Sequence, residues 1–311
     1  NSFCTLLRPP LLAAMSGKDH FRKCWAQQPV YSGGPVAAIV PEGAAAKAAG
    51  APGLLAMAFG CTLNLMRASD GATVASFDSP LEEDVLLHVA GTGRYPEAAA
   101  AAALAEGDDD APAAGPSTTD AADATGESGP SPAEVICGSV AFSTESRQIF
   151  ALRVTLDTYT DKYSLTVVKS WTAAQHAIAC LRFSPDGAHL ASGATDGGLR
   201  VWDVHHHHVT HNYRGKGGIV TFVAFAAGGH LMAAGTVEGY VSIIDFETKA
   251  VIASSRASNS AFEAASFLPD DSLACIGRDR RVAVFEPRTL KERKAIVLRD
   301  HVASAAFATA E

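Results

Sequence analysis

The sequence predicts an all-β fold, a propeller in which four-stranded antiparallel sheets stack radially as blades, and three periodic markers predict it. A small or polar residue followed by phenylalanine recurs at Ala141-Phe142, Arg182-Phe183, Ala224-Phe225, Ser266-Phe267 and Ala306-Phe307, in steps of 41, 42, 42 and 40 residues. A second marker keeps the same beat at Trp202-Asp203, Ile244-Asp245 and Phe285-Glu286, 42 and 41 residues apart. The third is an acidic residue six positions earlier in each case: Asp196, Glu238 and Asp279. Sustained self-similarity at one period is the mark of a repeat architecture.

A unit of this length and these markers is of the WD40 type, one four-stranded blade per repeat. Its best-defined copy spans 173–214. Ile178–Phe183 alternates apolar and polar positions as a half-buried strand does. Ser184-Pro185-Asp186-Gly187 follows as a type I turn, with proline setting φ at the second position. His189–Ala194 is the next strand, Asp196-Gly197 the signal of a two-residue hairpin turn, and residues 199–202 the third strand. The pattern returns with weaker turns over 215–256 and 257–299. Earlier units are read at 35–78 and 135–172, and the first strand of a sixth begins near His301. The prediction is therefore an incomplete WD40-type β-propeller of about five blades plus the start of a sixth. Burial explains the repetition: a blade has two apolar faces and hides them only against neighbours. An amphipathic-helix reading fails because the apolar spacing is two. A doubly wound α/β fold fails because no strand is followed by a helical pattern.

The domain reading is an N-terminal extension over 1–30 and a partial propeller over 31–311. Residues 97–134 interrupt it as a disordered acidic insert, read as lying between the first and second blades. That stretch carries nine acids and no lysine or arginine, so without it 24 acids face 25 bases. The net charge of −8 thus belongs to one segment and does not exclude a nucleic-acid partner. It also lacks the aromatic and branched apolar residues needed for a core. Residues 1–14, broken by Arg8-Pro9-Pro10, make a poor signal peptide, and a start at Met15 fits better. No apolar run is long enough for a transmembrane helix. The six cysteines are scattered without a C-x-x-C pair, which fits separate reduced thiols better than a disulfide framework or zinc site.

Three groups of residues are candidate sites. Ser192, Asp196 and Trp202 stand where such blades build a buried hydrogen-bond network, a structural device rather than a hydrolase triad. The histidine expected nine residues before Phe183 is replaced by Ala174, with His176 two residues late. Arg278, Arg280, Arg281, Lys291, Arg293 and Lys294 belong to a basic stretch of net +5 over 278–299. It is a candidate contact for RNA or an acidic partner, though without interleaved aromatic platforms for base stacking. His205, His206, His207 and His208 with His211 could suggest a metal, but adjacent histidines on a strand alternate outward and do not converge, so no metal site is assigned. Gly91-Thr92-Gly93 lacks the context of a phosphate loop. No catalytic residue, cofactor or small-molecule substrate is expected.

Residues 199–225, LRVWDVHHHHVTHNYRGKGGIVTFVAF, resemble the transducin-β-like WD proteins of the small-subunit processome, members of its UtpB subcomplex. Tyr31-Ser32-Gly33-Gly34 and the compressed hairpin Phe59-Gly60-Cys61-Thr62-Leu63-Asn64-Leu65 are similar to the same family. The resemblance runs from about Phe21 to Glu311. It implies tandem propellers, of which this would be part of the first, and a C-terminal helical domain. It also implies a nucleolar, non-catalytic scaffold for small ribosomal subunit assembly. Expected partners are other processome subunits, pre-ribosomal RNA and a small nucleolar ribonucleoprotein, with no membrane. The chain departs from the family in its acidic insert and weakened fifth blade. A generic WD adaptor, such as a ubiquitin-ligase substrate receptor, is the alternative. Such receptors often carry arginine two residues after the Asp of Trp-Asp, where this chain has His205.

Overall fold

The computed structural model describes residues 35–80, 84–95, 134–172 and 176–299. The extension at 1–30, residues 97–133 of the insert, Ala174 and the start of a sixth blade near His301 lie outside them.

Among the described residues, twenty strands make up five four-stranded sheets, with one short helix, α1 (Ala44–Ala48). The first blade is β1 (Val36–Ile39), β2 (Leu54–Phe59), β3 (Thr62–Arg67) and β4 (Thr73–Asp78). The second is β5 (Leu86–Thr92), β6 (Glu134–Thr144), β7 (Gln148–Asp157) and β8 (Lys162–Thr172). The third comprises β9 (Ile178–Phe183), β10 (His189–Ala194), β11 (Gly198–Asp203) and β12 (Val209–Arg214). The fourth comprises β13 (Val220–Phe225), β14 (Leu231–Thr236), β15 (Tyr240–Asp245) and β16 (Val251–Arg256). The fifth comprises β17 (Phe262–Phe267), β18 (Leu273–Gly277), β19 (Arg281–Phe285) and β20 (Glu292–Val297). Each sheet is a simple antiparallel meander in chain order. The first strands pack successively, β1 on β5, β5 on β9, β9 on β13 and β13 on β17, which makes them the inner edge of an arc of blades.

Strand alternation sends each sheet's side chains to two interfaces. On β10, Leu190 joins a cluster with Ala141, Ile149 and Trp171 of the second blade, while Ala191 joins one with Val220 and Met232 of the fourth. On β14, Met232 faces the third blade, and Ala233 packs with Phe262, Leu273 and Phe285 of the fifth. A fourth such cluster joins Leu63 and Leu65 of the first blade to Phe142, Phe150 and Leu152 of the second. Every successive pair of blades therefore shares a core, which is how sheets with two apolar faces bury both.

The structure corrects two readings of the sequence. The second blade begins at Leu86, not near 135, because β5 pairs with β6 from Leu86↔Thr144 to Thr92↔Ser139. The acidic insert therefore interrupts that blade between its first two strands and does not separate blades one and two. Phe142 accordingly lies on a second strand, whereas Phe183, Phe225 and Phe267 end first strands. Its 41-residue step matched the period by coincidence. The strand LLHVAGT escaped notice because it carries no phenylalanine and runs into glycines, and those glycines have a packing reason. A Cβ on Gly91 would meet Ile39 Cγ1 at 2.9 Å, and one on Gly93 would collide with the Val40 carbonyl.

The hairpin at Asp196 also differs in detail. The link between β10 and β11 has three residues, 195–197, closed by the Gly197 N–H donating to the Ala194 carbonyl at 3.2 Å. Only Gly197, at φ +81°, takes the left-handed conformation, as a three-residue hairpin loop requires.

Candidate functional site

The Trp202 network forms in part. Trp202 on β11 and Ser192 on β10 are diagonal neighbours across the two strands, and the indole Nε1–H donates to Ser192 Oγ at 2.8 Å, with both residues buried. Asp196 does not reach them: its Oδ1 accepts from the Gly198 N–H at 3.0 Å and so fastens the turn. His176 Nε2 stands 3.9 Å from Asp196 Oδ2, an ion-pair distance rather than a hydrogen bond. The chain of contacts is thus cut between turn and core, since the histidine sits two positions too late. Trp202→Phe, which leaves Ser192 buried without its donor, is expected to cost about 1–3 kcal/mol in urea unfolding. Asp196→Ala frees only a turn amide and is expected to cost under about 1 kcal/mol in the same titration.

The histidine run is the turn between β11 and β12, the last two strands of the third blade. Asp203 Oδ1 accepts from the N–H groups of His205 and His206 at 2.9 and 2.8 Å, and Oδ2 lies 2.9 Å from His206 Nδ1. Burial of Asp203 acts against its charge, yet the His206 and His205 bonds outweigh it and hold the carboxyl below its usual range. The rings diverge: His205 packs edge-on to Tyr95 at 5.0 Å, and His207 lies 6.5 Å from Trp171. Among the described residues, no three His, Cys, Asp or Glu side chains converge as metal ligands do.

His211 is a buried inter-blade latch, a role that its place in a histidine-rich stretch did not reveal. It is 6% exposed, stacks on Phe246 of the fourth blade at 4.5 Å, and donates from Nε2 to the Phe246 carbonyl at 2.9 Å. With Nε2 carrying the proton, Nδ1 accepts from the Thr210 hydroxyl at 2.7 Å. Burial lowers its pKa; the carbonyl bond opposes this, and nearby Lys249 and His189 reinforce it. The unfolded chain therefore takes up the proton first as pH falls, so stability drops once pH passes below the ordinary histidine value of about 6.5. His88, His205 and His207 are lowered by burial too and act in the same direction. Replacing His211 with glutamine should flatten the fall in urea midpoint between pH ~7.5 and ~5.5. An unchanged slope would show that His211 does not contribute.

The basic stretch of the fifth blade is not one patch. Arg278, Arg280 and Arg281 sit at the β18–β19 turn, whereas Lys291, Arg293 and Lys294 sit where β19 turns into β20, at the other end of the hairpin. Three of the six are neutralised within the blade. Arg278 Nε lies 2.6 Å from Glu263, Arg281 Nη2 lies 2.9 Å from Glu292, and Arg293 pairs with Glu286 and, at 3.5 Å, with Asp270. Arg280 donates instead to the Arg299 carbonyl at 3.2 Å, leaving its charge without a carboxylate.

The turn holding Arg280 has a backbone feature absent from the sequence reading. Four blades build the link between second and third strands identically, with an N–H bonded back three residues: Arg147 to Thr144, Gly197 to Ala194, Gly239 to Thr236 and Arg280 to Gly277. In each, the donating residue is left-handed, at φ +67°, +81°, +80° and +65°. Glycine takes that conformation without steric cost, whereas arginine does not. Aligning the repeats on their turns would have revealed arginine at two glycine positions.

Three of the thiols are shielded. Burial pushes Cys137 up to about 11 and Cys180 up to about 12, and raises Cys275 as well, so they are packing residues rather than nucleophiles.

Comparison with known proteins agrees with this architecture. The WD domain, G-beta repeat family matches residues 165–203, which run from β8 through β11. The matched unit thus takes the outer strand of one blade and the three inner strands of the next, tying neighbours together covalently. Transducin beta-like protein 3 of Rattus norvegicus is 30% identical over 135 residues, 42% of this chain and 17% of that protein. The Bos taurus protein of that name is 28% identical over 144 residues, 45% of this chain and 18% of its own. A U3 snoRNP-associated protein-like EMB2271 of Arabidopsis thaliana is 26% identical over 125 residues, covering 40% of this chain and 26% of that protein. The chain thus spans well under a third of the length of these relatives. A chain of the solved mitotic checkpoint complex superposes with a TM-score of 0.54 at 14% identity, over 78% of this chain and 62% of its own, a likeness of fold alone. The chain is therefore an all-β, WD40-type propeller arc, similar in sequence to transducin beta-like protein 3.

Proposed function

We propose that this chain is a non-catalytic WD-repeat scaffold of small ribosomal subunit biogenesis, acting in the nucleolus during pre-ribosomal RNA processing. The observation that carries the reading is its similarity to transducin beta-like protein 3 together with a relative named as U3 snoRNP-associated. Residues 199–225, where the resemblance to UtpB proteins is most specific, form the third blade's outer half and its hand-over to the fourth. Partners in this reading are other processome subunits, with pre-ribosomal RNA and a small nucleolar ribonucleoprotein contacted directly or through them. Rigid blades held by a shared core at each interface suit that task, because they present loops in fixed positions and bind through many modest contacts.

Affinity purification of the full-length protein from cells, with RNA and protein identification, tests it. Recovery of processome subunits and a small nucleolar RNA is the expected result. Exclusion from the nucleolus with none of these recovered would overturn it. Recovery of ubiquitin-ligase subunits in their place would establish the adaptor alternative.

A further inference from the structure

We infer that the rim of blades three to five, at the end where second strands turn into third and one blade hands over to the next, binds the phosphate backbone of single-stranded RNA. The inference deepens the scaffold reading by naming a surface and a ligand, and it rests on that reading only for the biological source of the RNA.

The rim is built by equivalent positions. Arg214 and Arg256 are the last residues of outer strands β12 and β16, and the residue after each donates its N–H to the carbonyl of its own blade's left-handed glycine, Gly197 or Gly239. In the fifth blade the same bond runs from Leu298 to Arg280. That register places Arg299 level with Lys216, each two residues beyond its outer strand's last position. Arg214, Lys216, Arg256, Arg280 and Arg299 are all exposed. Among the described residues none of the five has a carboxylate within ion-pair distance. Arg256 is held instead by the Glu238 carbonyl at 3.1 Å, and Arg280 by that of Arg299. The acids at this end are largely engaged. Glu263 pairs with Arg278, and Asp196 and Asp279 accept from the turn amides of Gly198 and Arg281. Among the described residues, Glu238 is the remaining carboxylate at these turns.

One feature favours phosphate over an acidic peptide. Cations recur at two matching places, Arg214 with Arg256 and Lys216 with Arg299, so positive charge is spread over three successive blades, which suits a ligand whose charge repeats with every unit whatever its sequence. Guanidinium groups, four of the five here, match phosphate oxygens bidentately, as they also match carboxylates. Arg280 adds a second observation: its side chain sits at a strained left-handed position that the third and fourth blades fill with glycine. Strain of this kind clusters at ligand sites, although Arg147 holds the equivalent position in the second blade outside this rim. No exposed aromatic side chain stands among these five positions, so the contact reads backbone and not base.

The test uses the full chain and a fluorescein-labelled, mixed-sequence single-stranded RNA, read by anisotropy across a salt series. R214Q/R256Q/R299Q should weaken binding by roughly tenfold or more and reduce the salt slope by about two, at ~0.7 for each phosphate no longer neutralised. R280G should also weaken binding, yet its melting temperature should stay level or rise, because glycine relieves the backbone. That split separates a binding role from a folding role. R288Q/K291Q/K294Q, at the opposite end of the fifth blade, should bind as the parent does. Parent-like binding by the rim variants would overturn the inference, as would a parent chain that binds no RNA. A polyglutamate competitor as effective as RNA would assign the rim to an acidic protein instead. These outcomes are independent of the affinity purification: subunits can be recovered with a rim that ignores RNA, and the rim can bind RNA in a protein outside the nucleolus.

Discussion

Phe142→Ala is expected to destabilise the propeller by about 3–5 kcal/mol, the usual cost of emptying a phenylalanine site in a close-packed core. Phe142 has no exposed surface and stacks on Phe150 at 5.1 Å with the rings 23° apart, while Phe77 of the first blade approaches to 6.0 Å. The site lies in the cluster that joins the first two blades, where Leu63, Leu65 and Leu152 are also fully buried. Sheets held in antiparallel register do not collapse readily into a void, so most of the cavity should persist. Urea unfolding followed by circular dichroism measures the loss. Phe142→Leu retains most of the volume and should cost less than half as much. Equal losses for the two variants would mean that ring stacking, and not volume, holds the interface. A cost below about 1 kcal/mol would mean that the two blades do not share this core.

Gly235→Ala carries the next largest effect, in the opposite sense of overfilling. A Cβ on Gly235 would fall inside the ring of Phe222, its partner across β13 and β14. That ring cannot retreat freely, because it is buried and packs edge-on to Phe262 of the fifth blade at 6.1 Å. Overpacking of this kind costs about 1–3 kcal/mol or more, and here strain would pass directly to the interface of blades four and five. A control is Gly43→Ala, where nothing lies within 4 Å of the new Cβ and the change should stay within about 0.5 kcal/mol. Phe222→Leu in the Gly235→Ala background should recover part of the loss, since a double-mutant cycle detects neighbours that share one space. Additive losses in that cycle would rule out the steric explanation.

Much of the architecture was legible because WD-type blades repeat themselves. The third, fourth and fifth blades show their strands in the alternation of apolar positions. The turns of the third and fourth show in Gly187, Gly197, Gly229 and Gly239, all left-handed in the structure. The second blade was harder. Its first strand bears none of the repeated markers, and 41 residues of chain separate the end of β5 from the start of β6. Pairing between those two strands is a long-range event that no local pattern announces. The candidate contact residues met the same limit. Arg278 and Lys294 are close in sequence, yet a hairpin carries them to opposite ends of a blade. Carboxylates from β17 and β20 then neutralise Arg278 and Arg281.

By itself, then, the order of residues determined which segments extend, where they reverse, and that each sheet has two faces to hide, because these follow from side-chain alternation and turn chemistry within a few residues. Tertiary structure alone decided which strand completes the second blade, which charges remain free, and that the backbone at Arg147 and Arg280 is left-handed. Those outcomes depend on contacts between residues far apart in the chain, and a charge or a backbone angle takes its meaning only from what is packed beside it.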